Sequence, residues 1–253
     1  AHAKVVSELA VKFWQENTCI DFEQRSDITN RIEVFQDQGC YSFIGKIGRK
    51  QELSLGIGCD SFGIAAHEFG HALGFFHAQS RHDRDSAIDL ILSNVQDNFV
   101  GQFNKETTAT NNNFNMPYDY GSIMHYGAMS ASKNGQPTMR AKVPQYQTTM
   151  GSADVSFIDV SMMNTLYGCK DKCASTPTPC QNGGYPHPRN CTKCLCPTGF
   201  GGRLCNERPS GCGQTLTATK SNQILNGMIG SGRSVINDQF IYCNWRITVG
   251  SIS

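Results

Sequence analysis

The sequence predicts an α+β domain, then a small disulfide-held module, then a short segment of all-β character. Three observations predict it. A helical apolar pattern opens the chain, and four short strand-like runs follow before a second helix. At Cys169 the composition turns to Cys, Pro and Gly with almost no apolar residues, a piece that cannot build a core and needs bridges to fold. From Cys212 strand-like alternation returns, with Ile241-Tyr242-Cys243-Asn244-Trp245-Arg246-Ile247, too little for a sheet domain with its own core.

The opening helix rests on Val6, Leu9, Ala10 and Phe13, which recur at i, i+3, i+4 and i+7 and end at Asn17 and Thr18. No capping residue precedes it, so the expectation is that residues before Ala1 have been cut away. The strand-like runs are 19–24, 31–36, 41–44 and 52–55, partly β-branched or aromatic and bounded by Gly39, Gly45 and Gly56. Cys40 and Cys59 flank the last two at a separation that suits a bridge across the sheet. A helix starting near Phe62 comes next. Asn104–Pro117, rich in Thr and Asn, reads as surface loop, and Ser156–Leu166 reads as a helix carried by Phe157, Val160, Met163 and Leu166.

Composition removes several functions. At 253 residues one large domain plus small appendages is expected, and a net charge of +1 without a long basic run gives no case for nucleic acid or an anionic membrane. No apolar run of about 18 residues exists to form a membrane span. Eight of the twelve cysteines lie between Cys169 and Cys212, which points to disulfides and an oxidising, extracellular compartment. Zinc knuckles are the rival reading, but only Cys191 and Cys194 have the CxxC spacing.

The chemistry is concentrated in His67-Glu68-Phe69-Gly70-His71-Ala72-Leu73-Gly74-Phe75-Phe76-His77. Histidines at i and i+4 fall on one helical face, one turn apart, and reach one ion. Gly74 can take the positive φ that ends the helix and returns the chain, so that His77 arrives as a third ligand. Three neutral imidazoles leave the fourth position of a tetrahedral Zn²⁺ open for water, the arrangement of a catalytic site with one zinc per chain. Glu68 stands beside it as a non-ligating base.

The pattern HExxHxxGxxHExxRxDR is matched at His67, Glu68, His71, Gly74, His77, Arg81, Asp83 and Arg84, and Ser122-Ile123-Met124-His125-Tyr126-Gly127 matches SxMHY. On these motifs residues 1–169 resemble the astacin family of metzincins. The resemblance implies a two-lobed zinc-protease domain with a mixed sheet and an active-site helix. It implies Met124 in a turn beneath the metal, Tyr126 as a weak fifth ligand that swings to the oxyanion, and bridges Cys19–Cys169 and Cys40–Cys59. His82 and His125 are expected to be structural or solvated. The departure is Ala78, where the family has a Glu that meets the new α-amino group after propeptide removal.

Residues 170–208 resemble an EGF-like module through Cys180-Gln181-Asn182-Gly183-Gly184 and Cys194-Leu195-Cys196 followed by Pro197–Cys205. That resemblance implies Cys173–Cys191, Cys180–Cys194 and Cys196–Cys205, and the residues before Cys173 (Lys170-Asp171-Lys172) predict no calcium. Residues 209–253, with Cys212 and Cys243, look like the opening of a CUB domain. The order is similar to that of secreted nematode astacins. Asn190-Cys191-Thr192 is a sequon weakened by its cysteine.

The function expected is therefore a secreted zinc endopeptidase acting on protein or peptide substrates, extracellular matrix among them, with protein contacts through the EGF and CUB modules. The strand 52–55 is expected to edge the cleft and align substrate. Two rivals are a catalytically weak zinc-binding adhesion protein and a matrix metalloprotease. Glu68 argues against the first; Arg81, Asp83, Arg84 and Tyr126 argue against the second.

Overall fold

The computed structural model describes residues 2–176, 178–229 and 240–249, which fall into two units. The larger comprises residues 1–16 and 20–166; the smaller comprises 17–19 and 167–253.

In the larger unit, helix α1 (His2–Asn17) buries Val6, Ser7, Ala10 and Trp14. The buried face is turned relative to the expected one. Trp14 is fully buried and its indole N–H donates to the Ala66 carbonyl at 3.1 Å, whereas Leu9 and Phe13 are half-buried. An indole removes more apolar surface from water than a phenyl ring and its N–H finds a partner, which decides the rotation. Phe13 packs edge-on against Phe62, the first residue of helix 62–72, and Trp14 against Phe75 just past its end, fixing α1 to both.

Strands β1 (Ile32–Phe35), β2 (Cys40–Ser42) and β3 (Gln51–Leu55) form one mixed sheet in the order β1-β3-β2. β3 runs parallel to β1 and antiparallel to β2, with Leu53 opposite Val34 and Ser42. Leu53 and Leu55 are buried, and the buried Ser54 hydroxyl donates to the Gly39 carbonyl and accepts from the Asp37 amide. Two expectations fail here. Residues 19–24 form no strand: the amides of Cys19 and Phe22 are bonded to the Cys169 sulfur and the Gln15 side chain instead of a ladder. The strand containing Glu52–Leu55 is central, leaving β1 and β2 at the edges, and of these β2 lines the cleft.

Beyond α2 (Phe62–Ala72) the chain is largely short turns around a second cluster of Ile88, Val95, Phe103, Tyr120, Met139 and Met150. Within it β4 (Ile88–Leu90) pairs antiparallel with β5 (Met139–Ala141). No helix or strand occupies 104–117. Helix α3 (Phe157–Leu166) buries Asp159, Val160, Ser161, Met163 and Asn164, while Leu166 is exposed. Cys40 is bonded to Cys59.

The smaller unit contains the disulfides Cys19–Cys169, Cys173–Cys191, Cys180–Cys194, Cys196–Cys205 and Cys212–Cys243. Its described strands pair two by two: β6 (Tyr185–His187) antiparallel to β7 (Asn190–Leu195), and β8 (Thr215–Ala218) parallel to β9 (Arg246–Val249). Of the alternation expected across 241–247, the ladder takes only Arg246 and Ile247. Residues 230–239 and 250–253 of the segment read as CUB-like lie outside the described residues. No helix among the described residues is long and apolar enough to cross a membrane.

Candidate active site

Helix α2 begins at Ser61, whose hydroxyl accepts the Ile64 amide at 3.4 Å, and it buries Glu68, Phe69, Gly70 and His71. It ends because Gly74 takes φ = 112°, so the Gly74 amide returns to the His71 carbonyl and the Phe75 amide to the Gly70 carbonyl. That reversal brings His77 back to the helix. The ligand atoms of His67, His71 and His77 lie within 4.8 Å of one another, and the two Nε2 atoms of His71 and His77 are 3.1 Å apart.

The tautomers follow from the hydrogen bonds. Nδ1 of His67 donates to the Ile123 carbonyl and Nδ1 of His71 to the Phe75 carbonyl, both at 2.7 Å, which leaves Nε2 of each free to ligate. Burial lowers the pKa of all three; for His77, burial plus the charges of His71, His67 and His125 push it down to about 2. The rings are therefore neutral at physiological pH, as metal ligands must be. A tetrahedral zinc with nitrogens at about 2.0–2.1 Å needs them roughly 3.3 Å apart. The 3.1 Å separation fits, and so does the donor set.

Glu68 is buried behind this triad, and its Oε2 has no hydrogen-bond partner among the described residues. Burial pushes its carboxyl up to about 8. Tyr126 packs its ring 4.4 Å from that of His77, and its amide donates to Gln79 Oε1. Burial, reinforced by the Glu68 charge, raises the Tyr126 phenol.

The turn carrying Tyr126 is held from two sides. Met124 is buried with its sulfur against Gly70, where an added Cβ would meet Sδ at 2.8 Å, and its carbonyl accepts the Ala78 amide at 2.9 Å. Asp159 of α3 accepts from the Ser122 hydroxyl at 2.6 Å and from the amides of Ile123 and Ser156 at 2.8 and 3.0 Å. Sequence reasoning missed Asp159; the one signal was an acid on the apolar face of a helix. It also missed Gln79, fully buried beside Ala78.

The remaining motif residues brace this frame. Arg81 binds Asp83 through two nitrogens and donates to the carbonyls of Met116 and Pro117. Arg84 donates to the carbonyls of Gln79 and Phe103. His82 is bonded to the Asn113 amide, and His125 is held between the Tyr126 carbonyl and the Tyr118 hydroxyl, so neither joins the triad. The triad opens into a cleft of about 860 Å³ whose lining includes Tyr41 and Ser42 of β2, Phe99, Ser130 and Ser152.

The chain is 55% identical over 239 residues to zinc metalloproteinase nas-31 of Caenorhabditis elegans, covering 94% of this chain and 39% of that protein. It is 44% identical over 241 residues to zinc metalloproteinase nas-32 of the same organism, covering 93% and 36%. The chain thus spans about two fifths of the length of these relatives. Among solved structures it resembles high choriolytic enzyme 1, a hatching enzyme zinc-protease from Oryzias latipes, with a TM-score of 0.61 at 38% identity over 66% of this chain and 82% of that one. The family model for the Astacin peptidase family matches residues 1–168, and the chain belongs to that family.

Proposed function

We propose that this chain carries the catalytic domain of a secreted zinc-dependent endopeptidase, with Glu68 as general base. The observation that carries the reading is the buried Glu68, with an unpartnered oxygen, next to three neutral histidines that converge on one point. An adhesion protein that merely stored zinc would gain nothing from an unsatisfied buried carboxyl, which is costly to maintain.

His67, His71 and His77 would hold a zinc ion, which would supply a Lewis acid for the scissile carbonyl and make the attacking water more acidic. Glu68 takes the proton of the attacking water and delivers it to the leaving amine. Burial raises its pKa, and a cation held by the triad would pull it back toward the ionised form that accepting a proton requires. Tyr126, which would serve as a weak additional ligand when the metal is bound, has its phenol raised by burial and would donate a hydrogen bond from its hydroxyl to the oxyanion. The free edge of β2, with Tyr41 and Ser42 in the cleft wall, aligns an extended peptide by strand addition.

All six disulfides support passage through an oxidising compartment. We read residues 170–208 as an EGF-like module and 209–253 as the opening of a CUB domain, both serving protein contacts. Removing zinc with a chelator should abolish hydrolysis of an internally quenched peptide, and one equivalent of zinc should restore it. Activity that persists at zero zinc content would overturn the reading.

A further inference from the structure

The cleft is unevenly charged. Among the described residues that line it, Glu68 and Glu106 are the carboxylates, and no lysine or arginine lines it. Glu68 belongs to the reaction. Glu106 has no part in the chemistry, yet it is held in place. Its amide donates to the Ser80 carbonyl at 2.7 Å, three residues beyond His77, and its Oε2 accepts the Thr110 hydroxyl at 2.7 Å. The Thr110 amide donates to the Thr107 carbonyl at 3.1 Å and the Thr110 hydroxyl oxygen accepts the Thr107 amide at 3.0 Å, so the carboxylate is carried on a local scaffold.

The cations of its own segment and of the 81–84 turn are engaged elsewhere. Lys105 pairs with Asp85 at 2.5 Å, Arg84 pairs with the same aspartate, and Arg81 pairs with Asp83. Glu106 is half-buried and pairs with none of the described lysines or arginines. A fixed carboxylate loses little conformational entropy on pairing, and partial burial strengthens the attraction over that of a free surface pair.

We propose that Glu106 makes the wall of the cleft a binding site for a lysine or arginine side chain of the substrate. The inference rests on the proteolytic reading and deepens it by naming the substrate class: extended peptides with a basic residue near the scissile bond. An acidic residue at the same place meets a like charge and is rejected.

The test uses peptides identical except for one position, occupied by Lys, Gln or Glu and moved in turn along the residues around the cleaved bond. Affinities are measured by fluorescence anisotropy on the zinc-loaded Glu68→Gln protein, and kcat/KM on the wild type. At one position Lys should be preferred over Gln by about threefold to tenfold, with Glu disfavoured further, and the preference should shrink at high salt. Glu106→Gln keeps the acceptor for Thr110 and should bring the Lys-to-Gln ratio close to one; Glu106→Lys should invert the order. A ratio unchanged in both variants, or no basic preference in the wild type, overturns the proposal. Charge-dependent binding without hydrolysis would leave the Glu106 site standing and remove the protease reading. Hydrolysis blind to charge would do the reverse.

Discussion

Nδ1 of His67 donates to the carbonyl of Ile123 at 2.7 Å, while the amide of that same Ile123 donates to Asp159 at 2.8 Å. One residue's backbone therefore links a histidine of the metal triad to a buried acid in α3. Removing the acceptor should loosen the turn and, through it, the histidine. Asp159→Ala should weaken zinc binding by about tenfold, the lower end for residues that orient a ligand. It should also cost about 1–3 kcal/mol of stability for the unsatisfied Ser122 and Ile123 donors. Competition with a zinc chelator and denaturant unfolding check both. Unaltered zinc affinity would detach Asp159 from the metal site.

The same residue gives a pH dependence. Burial pushes the Asp159 carboxyl up to about 6, against the Ser122 hydroxyl and the two amides, with the Asp119 charge adding to the rise. A carboxyl raised in the folded state holds its proton longer there than in the unfolded chain. Its contribution is thus fully present below about pH 4 and is lost as pH rises through 6, roughly 3 kcal/mol in all. Asp159→Asn does not titrate, so the stability difference between wild type and this variant should shrink from pH 4 to pH 7. A difference that stays flat, or that grows, contradicts the raised pKa.

How far the sequence could be read depends on how local each feature is. The triad was legible because a helical turn and one glycine bring His67, His71 and His77 together within eleven residues. Asp159 was not, because Ser122 and Ile123, the partners that tie it to the turn, lie 37 and 36 residues away and meet it only through packing. Strand propensity locates β1, β2 and β3 but not their order, which depends on which edges pair; hence the expectation of a cleft edge at Glu52–Leu55, where the strand is central and the cleft-side edge is β2. The run 19–24 has strand-like residues but finds no ladder, and propensity alone cannot supply a partner.

The start of the metal helix is under a steric constraint. A Cβ on Gly63 would fall 2.4 Å from the Ala153 carbonyl oxygen, on the backbone segment that lines the cleft. Alanine is the better helix former by roughly 1 kcal/mol, but displacing backbone in a packed region costs about 1–3 kcal/mol. The clash should win: Gly63→Ala should lower the thermal midpoint and raise KM as the 151–153 segment shifts. A raised midpoint with unchanged KM would show that the segment yields freely.

Tyr126 separates a donor to the oxyanion from a packing residue. Tyr126→Phe keeps the ring against His77 and deletes the hydroxyl. We expect kcat to fall roughly tenfold to a thousandfold, the range for losing one oxyanion donor, with KM and zinc content little changed. Unchanged kcat would make Tyr126 a packing residue, and loss of zinc would make it an essential ligand.

The central claim is that Glu68, buried beside the triad with one oxygen unpartnered, moves the proton and does not hold the metal. Glu68→Gln keeps the side-chain shape and removes the base. Zinc content by metal analysis, measured beside hydrolysis of a quenched peptide, tests it most directly. The account predicts about one zinc per chain and turnover reduced by roughly two or more orders of magnitude. Near wild-type turnover in a zinc-loaded Glu68→Gln protein would contradict it.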